Sequence, residues 1–94
     1  MFDADTLISD IENSKKHMVV FNMYCEHGNM GANGVLDNVS VTKTPSSVII
    51  SSANGSEESI ILSTVCDCDF ERNTELNYYD IKYATGLGFS LALI

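Results

Sequence analysis

Four residues carry the chemistry to hold a metal ion: Cys25, His27, Cys66 and Cys68. In an extended chain, residues two apart point to the same side, so Cys25 with His27 and Cys66 with Cys68 would each offer a ligand pair to one tetrahedral zinc. The spacing speaks against it. Structural zinc sites usually leave two to four residues between paired ligands, and here one intervenes. Cys25 also falls in phase with an apolar run, where a cysteine behaves as a small hydrophobe. Nucleophilic catalysis needs Cys or Ser beside a base that a third group orients. Cys25 near His27 supplies residue types only, His17 is the other histidine, and no Gly-x-Ser-x-Gly elbow occurs. Gly28, Gly31 and Gly34 form Gly-x-x-Gly-x-x-Gly, but a strand follows where a phosphate cradle needs a helix, and no lysine follows before Lys43. Asp67 and Asp69 form an Asp-x-Asp pair without the twelve-residue loop that calcium requires. The expectation is a protein that is not an enzyme and has no cofactor.

The carboxylates are the larger signal. Thirteen Asp and Glu against five Lys and Arg give a net charge of −8. Such a surface repels phosphate backbones and anionic lipid, which argues against direct nucleic-acid binding and against membrane association. It attracts a basic partner, and large basic surfaces belong chiefly to proteins that themselves hold nucleic acid. The acids cluster as Asp3, Asp5, Asp10 and Glu12, then Glu57 and Glu58, then Asp67, Asp69, Glu71, Glu75 and Asp80. One reading is a solvated, solubilising face. The sharper reading is that carboxylates stand in for phosphates in a basic groove, with neighbouring tyrosines as aromatic anchors. The expected partner-binding residues are Asp67, Asp69, Glu71, Glu75, Asp80, Tyr78 and Tyr79.

The elements that must carry these residues are short. Asp3 to Lys16 reads as a helix with Asp3 or Asp5 as N-cap, with Leu7, Ile8 and Ile11 on one face and Asp10 and Glu12 toward water. Lys15, Lys16 and His17 would complement its negative end. Met18 to Cys25 alternates as a strand, with Val19, Phe21, Met23 and Cys25 on the apolar side. Glu26 to Gly34 reads as a glycine-rich connection that no strand would tolerate, with Met30 as an exposed contact element. Val35 to Lys43 reads as one second strand, Thr44 to Ser46 as a turn around Pro45, and Ser47 to Ser52 as a third strand. Asn54-Gly55 signals a type I′ hairpin that pairs Val48, Ile49 and Ile50 with Ile60, Ile61 and Leu62. A helix over 56–66 competes, and the β-branched content makes it second choice. Residues 66–75 read as an exposed acidic connection, and Leu76 to Ala84 fits neither period cleanly. Phe89, Leu91 and Leu93 alternate in an end so apolar that it is either a buried strand or a subunit contact.

At 94 residues the expectation is one domain, with no spare volume for a deep cleft. The fold class expected is α+β, a short N-terminal helix packed on an antiparallel sheet of four to five strands. No apolar run reaches the ~18 residues of a membrane span, and the acidic opening Asp3, Asp5 is unlike a secretory leader. With an odd number of cysteines, reduced thiols and a cytoplasmic location are expected.

The opening Asp5, Thr6, Leu7, Ile8, Ser9, Asp10, Ile11, Glu12, Asn13 followed by antiparallel strands and polar turns, over residues 3–64, resembles the small acidic phage anti-CRISPR proteins. The resemblance implies an inhibitor, in some cases a nucleic-acid mimic, that blocks the site where a CRISPR nuclease reads its target. It carries over no site residue. Bacterial immunity proteins that neutralise nuclease toxins fit the same description. The leading expectation is a non-enzymatic inhibitor of a basic, nucleic-acid-handling protein. The alternatives are a structural or assembly subunit, such as a homodimer, for which Phe89 to Ile94 argues, and a zinc-binding module using Cys25, His27, Cys66 and Cys68.

Overall fold

The structure, a computed structural model, describes residues 2–15, 17–25, 31–52 and 59–94. The chain opens with helix α1 (Ala4–Glu12), capped by Asp3, whose side chain accepts from the backbone N–H of Thr6. Ala4, Leu7 and Ile11 recur at helical spacing, and these are the buried residues of the helix. The helix stops short of the expected Lys16. Asn13 returns its N–H to the Ser9 carbonyl, and Ser14 places both N–H and hydroxyl on the Ile11 carbonyl. Side chains of this kind compete with the helical ladder, so Lys15 lies beyond the last turn. His17, with φ 49°, is outside the helix as well.

Eight strands follow: β1 (Val19–Cys25), β2 (Gly31–Leu36), β3 (Val39–Lys43), β4 (Ser47–Ser52), β5 (Ser59–Ser63), β6 (Cys68–Asn73), β7 (Tyr78–Tyr83) and β8 (Leu87–Leu93). They form two antiparallel sheets, one ordered β2-β1-β8-β7-β6 and the other β3-β4-β5. The fold is therefore mostly β, with one helix packed against two sheets, and the expected four to five strands become eight. Leu7 and Ile11, the inward side chains of β4 and β5, and those of β1, β7 and β8 meet in one buried cluster.

Three departures from the sequence reading share a cause in local geometry. Val35 to Lys43 is not one strand: Asn38 sits at φ 49°, a left-handed conformation that asparagine tolerates, and the chain leaves one sheet for the other there. Gly31 to Gly34 belongs to β2 and not to a connection. A Cβ at Gly34 would lie 3.1 Å from the Phe21 ring, so glycine lets that ring cover the neighbouring strand. Residues 68–73 form β6, an edge strand in which Cys68, Phe70 and Arg72 face the core side while Asp69 and Glu71 face out. Charge on an edge strand blocks pairing with further chains, which is why an acidic segment can be a strand.

Other readings hold. β1 and β4 lie where expected, and Val48, Ile49 and Ile50 pair with Leu62, Ile61 and Ile60. The second-choice helix over 56–66 is absent from 59–63, which is strand. Asn54-Gly55, Glu26 to Met30 with His27, and Glu57 and Glu58 lie outside the described residues. Tyr79, Ile81 and Tyr83 point inward from β7, and the apolar end is β8, the middle strand of the larger sheet. Phe89, Leu91 and Leu93 are buried within the chain. No helix among the described residues is long and apolar enough to cross a membrane.

Candidate functional site

The inner face of the five-stranded sheet packs on the core, so the opposite face is the one that presents polar side chains. The register fixes its rows. One runs Asn33, Asn22, Ser90, Asp80, Glu71, and the next Gly31, Tyr24, Gly88, Lys82, Asp69. A third row runs Val35, Val20, Ala92, Tyr78, Asn73. Four of the seven expected partner-binding residues therefore share one face: Asp69, Glu71, Asp80 and Tyr78. Asp69 lies directly opposite Lys82, an opposite-charge pair that steadies the β6–β7 edge. Glu71 lies directly opposite Asp80, and that like-charge pair works against the same edge.

Asp80 is held in place. The Tyr24 hydroxyl donates to its Oδ1 at 3.0 Å, and the Ser90 hydroxyl lies at 3.5 Å from the same oxygen. Tyr24 reaches that far because Gly88 lies beneath its ring: a Cβ at Gly88 would come within 2.2 Å of Tyr24 Cζ. Tyr24, Lys82 and Ser90 were not singled out in the sequence. The available signal was the polar phase of β1, where Asn22 and Tyr24 alternate with the apolar set.

The remaining expected residues divide. Asp67 precedes β6 and is exposed, with its carbonyl accepting the Ala84 N–H, and Glu75 sits in the exposed β6–β7 turn. Both flank the face without belonging to its rows. Tyr79, expected at the partner surface, does not lie there. It is only 1% exposed and belongs to the core, stacked near Phe70 with ring centroids 5.6 Å apart. Strand alternation puts it on the face opposite Tyr78 and Asp80.

The acids of the opening helix serve the fold. The Thr6 hydroxyl and backbone N–H hold the Asp3 carboxyl below its ordinary range. Asp5 pairs with Lys43 at 2.8 Å. Asp10 is half-buried and paired: Arg72 donates to it twice, Nε to Oδ2 at 2.9 Å and Nη2 to Oδ1 at 3.1 Å. This fork ties α1 to the end of β6 from the core side.

The zinc set is not assembled as expected. Cys25 pairs with Leu87 on β8, and Cys68 pairs with Tyr83 on β7, which puts the two cysteines in line across three strand spacings. At about 4.8 Å per spacing they stand roughly 14 Å apart, too far to share one ion. His27 lies outside the described residues, and among those described no cluster of three His, Cys, Asp or Glu side chains has metal-binding geometry. The described cysteines are free thiols. Burial, with the Asp69 and Asp67 carboxylates beside it, pushes the Cys68 thiol up, so it is a poor nucleophile.

No protein-family model matches the chain, and neither the curated proteins nor the solved structures contain a significant match.

Proposed function

We propose that the chain is a non-enzymatic binding protein whose acidic sheet face docks on a basic surface of a nucleic-acid-handling protein and competes there with phosphates. The observation that supports this reading is the convergence of Asp69, Glu71 and Asp80, from two adjacent strands, on one uncovered face. Asp69 and Glu71 repeat along β6 at about 6.8 Å, close to the spacing of successive phosphates on a nucleic-acid strand. Glu71 and Asp80 face each other at a cost to the sheet. A partner's cation placed between them removes that cost, which gives binding a driving force that a neutral partner lacks. Tyr78, 38% exposed in the adjacent row, supplies the aromatic anchor. The net charge of −8 steers a basic partner toward this face from a distance. An inhibitor of the anti-CRISPR or nuclease-immunity type acts in this way.

The test is affinity capture from an extract of the native host, with the wild-type chain and an Asp69→Asn, Glu71→Gln, Asp80→Asn triple variant. A basic nuclease or polymerase retained at low salt, shed at high salt and lost to the triple variant is the expected result. Equal capture by wild type and a folded triple variant would overturn the reading. So would capture of acidic or apolar partners alone.

A further inference from the structure

On the other side of β6 the chemistry reverses sign. A groove of about 610 Å³ runs between the end of α1, the β6–β7 turn and the end of β8, and its lining includes Asp10, Lys15, Arg72, Asn73, Asn77 and Tyr79. The hollows on the acidic side are smaller, about 290 and 300 Å³. In a chain with thirteen acids and five bases, this groove brings together two cationic side chains and one acidic side chain, with Ile94 at its rim. That carboxylate is already engaged, since both Asp10 oxygens accept from Arg72.

The ion pair also pre-organises the guanidinium. With Nε and Nη2 pinned to Asp10, Nη1 has no protein acceptor among the described residues, and an immobilised fork loses little freedom on meeting a ligand. Tyr79 carries the second, independent observation. Its hydroxyl is buried, 1% exposed for the residue, and accepts from Arg72 Nε at 3.1 Å. Its own proton has no acceptor among the described residues, although the side chain lines the groove. The hydroxyl is satisfied as an acceptor, and its rotor is free to turn the proton toward an acceptor placed in that space. Asn73 uses its side-chain oxygen to accept from the Glu75 and Leu76 N–H groups, which leaves its amide N–H donors for the groove. The negative end of α1 is blunted, because Asn13 and Ser14 occupy the Ser9 and Ile11 carbonyls.

We propose that this groove is a binding site for the oxyanion of a small molecule, a carboxylate or a phosphate monoester, held by Arg72, Lys15 and the Tyr79 hydroxyl. The volume falls within the usual range of ~300–1,000 Å³ for small-ligand pockets, so the ligand extends beyond the oxyanion itself, and Asn73 and Asn77 read its neighbouring polar atoms. The site shares only Asn73, at the end of the third row, with the acidic face, and its test does not depend on the carboxylates of that face.

The experiment is a titration of the ¹⁵N-labelled chain with inorganic phosphate, adenosine monophosphate and succinate, with chloride as the ionic-strength control. Saturable shifts of the Arg72 side-chain N–H and the Asn73 and Asn77 amide groups are expected. Tyr79→Phe and Lys15→Gln should each weaken binding about tenfold, as loss of one charge-assisted hydrogen bond implies. Stronger binding of the nucleotide than of succinate assigns a phosphate, and the reverse assigns a carboxylate. Shifts that stay linear into tens of millimolar, that chloride reproduces, or that both variants leave unchanged would overturn the proposal. Tyr79→Phe keeps the ring and the Asp10–Arg72 pair. Should it fail to fold, Lys15→Gln at an exposed position decides alone.

Discussion

Replacing Gly88 by alanine should reverse sign with its neighbour. A Cβ at position 88 would meet Tyr24 Cζ at 2.2 Å, Cε2 at 2.4 Å and the hydroxyl oxygen at 2.6 Å, so the ring must leave the sheet. Its departure breaks the 3.0 Å hydrogen bond to Asp80, worth about 1 kcal/mol. It also exposes about 40 Å² of apolar surface, a further ~1 kcal/mol. Against this, alanine in a strand interior gains about 0.5–1 kcal/mol over glycine by restricting the unfolded chain. Gly88→Ala should therefore destabilise by about 1–1.5 kcal/mol, a fall in melting temperature of roughly 5–10 °C for a domain of this size. In a Tyr24→Ala background the obstacle is gone, and the same substitution should stabilise by about 0.5 kcal/mol. The coupling between the two positions is then about 2 kcal/mol. Urea unfolding of the four proteins, followed by far-ultraviolet circular dichroism, measures it. Equal destabilisation by Gly88→Ala in both backgrounds would show that Tyr24 is not what makes glycine necessary.

Glu71→Gln removes the like-charge opposition to Asp80 and should stabilise the fold by about 0.2–1 kcal/mol in low salt while weakening capture of the basic partner; stability and binding moving in the same direction would contradict the account of that face. Tyr83 is buried, and that burial, with the Cys68 and Cys66 thiols nearby, pushes its phenol up to about 12. Its hydroxyl donates to the Ser63 carbonyl at 2.7 Å. Below the ordinary tyrosine value of 10.0 both states keep the proton, so stability is unaffected; between there and about 12 the unfolded chain releases it first. Stability should fall in that window by about 1.4 kcal/mol per pH unit in excess of the remaining tyrosines. Absorbance titration at alkaline pH should show one phenol ionising late, and Tyr83→Phe should remove both effects.

Periodicity revealed most of the strands, and pairing it did not. Phe89, Leu91 and Leu93 alternate plainly enough to offer a buried strand beside a subunit contact, and β1 and the β4–β5 pairing follow from their own alternation. What adjacent residues could not reveal is the break at Asn38, because a single left-handed residue changes sheets without altering the alternation of valines around it. β2 was hidden by its glycines, whose role is set by Phe21 across the ladder. β6 was hidden by its acids, which satisfy the needs of an edge. For the candidate site, Asp69, Glu71, Asp80 and Tyr78 were visible as residues, and their common face depends on the β6–β7 register. Tyr79 was misread for the same reason, since adjacent tyrosines on a strand face opposite ways. The Arg72 fork to Asp10 joins residues 62 positions apart, a separation no local pattern encodes.

The order β2-β1-β8-β7-β6 makes the strand furthest along the chain the keystone of the larger sheet. Until residues 87–93 have emerged from the ribosome, β1–β2 and β6–β7 are two hairpins with no common neighbour, and neither can shield its apolar side. Assembly then waits on joining Val19 to Leu93, so folding should be slow for a unit of this size. Trimming the last residues of β8 would unseat both halves at once, whereas a tag placed in the β6–β7 turn would leave that closing step untouched.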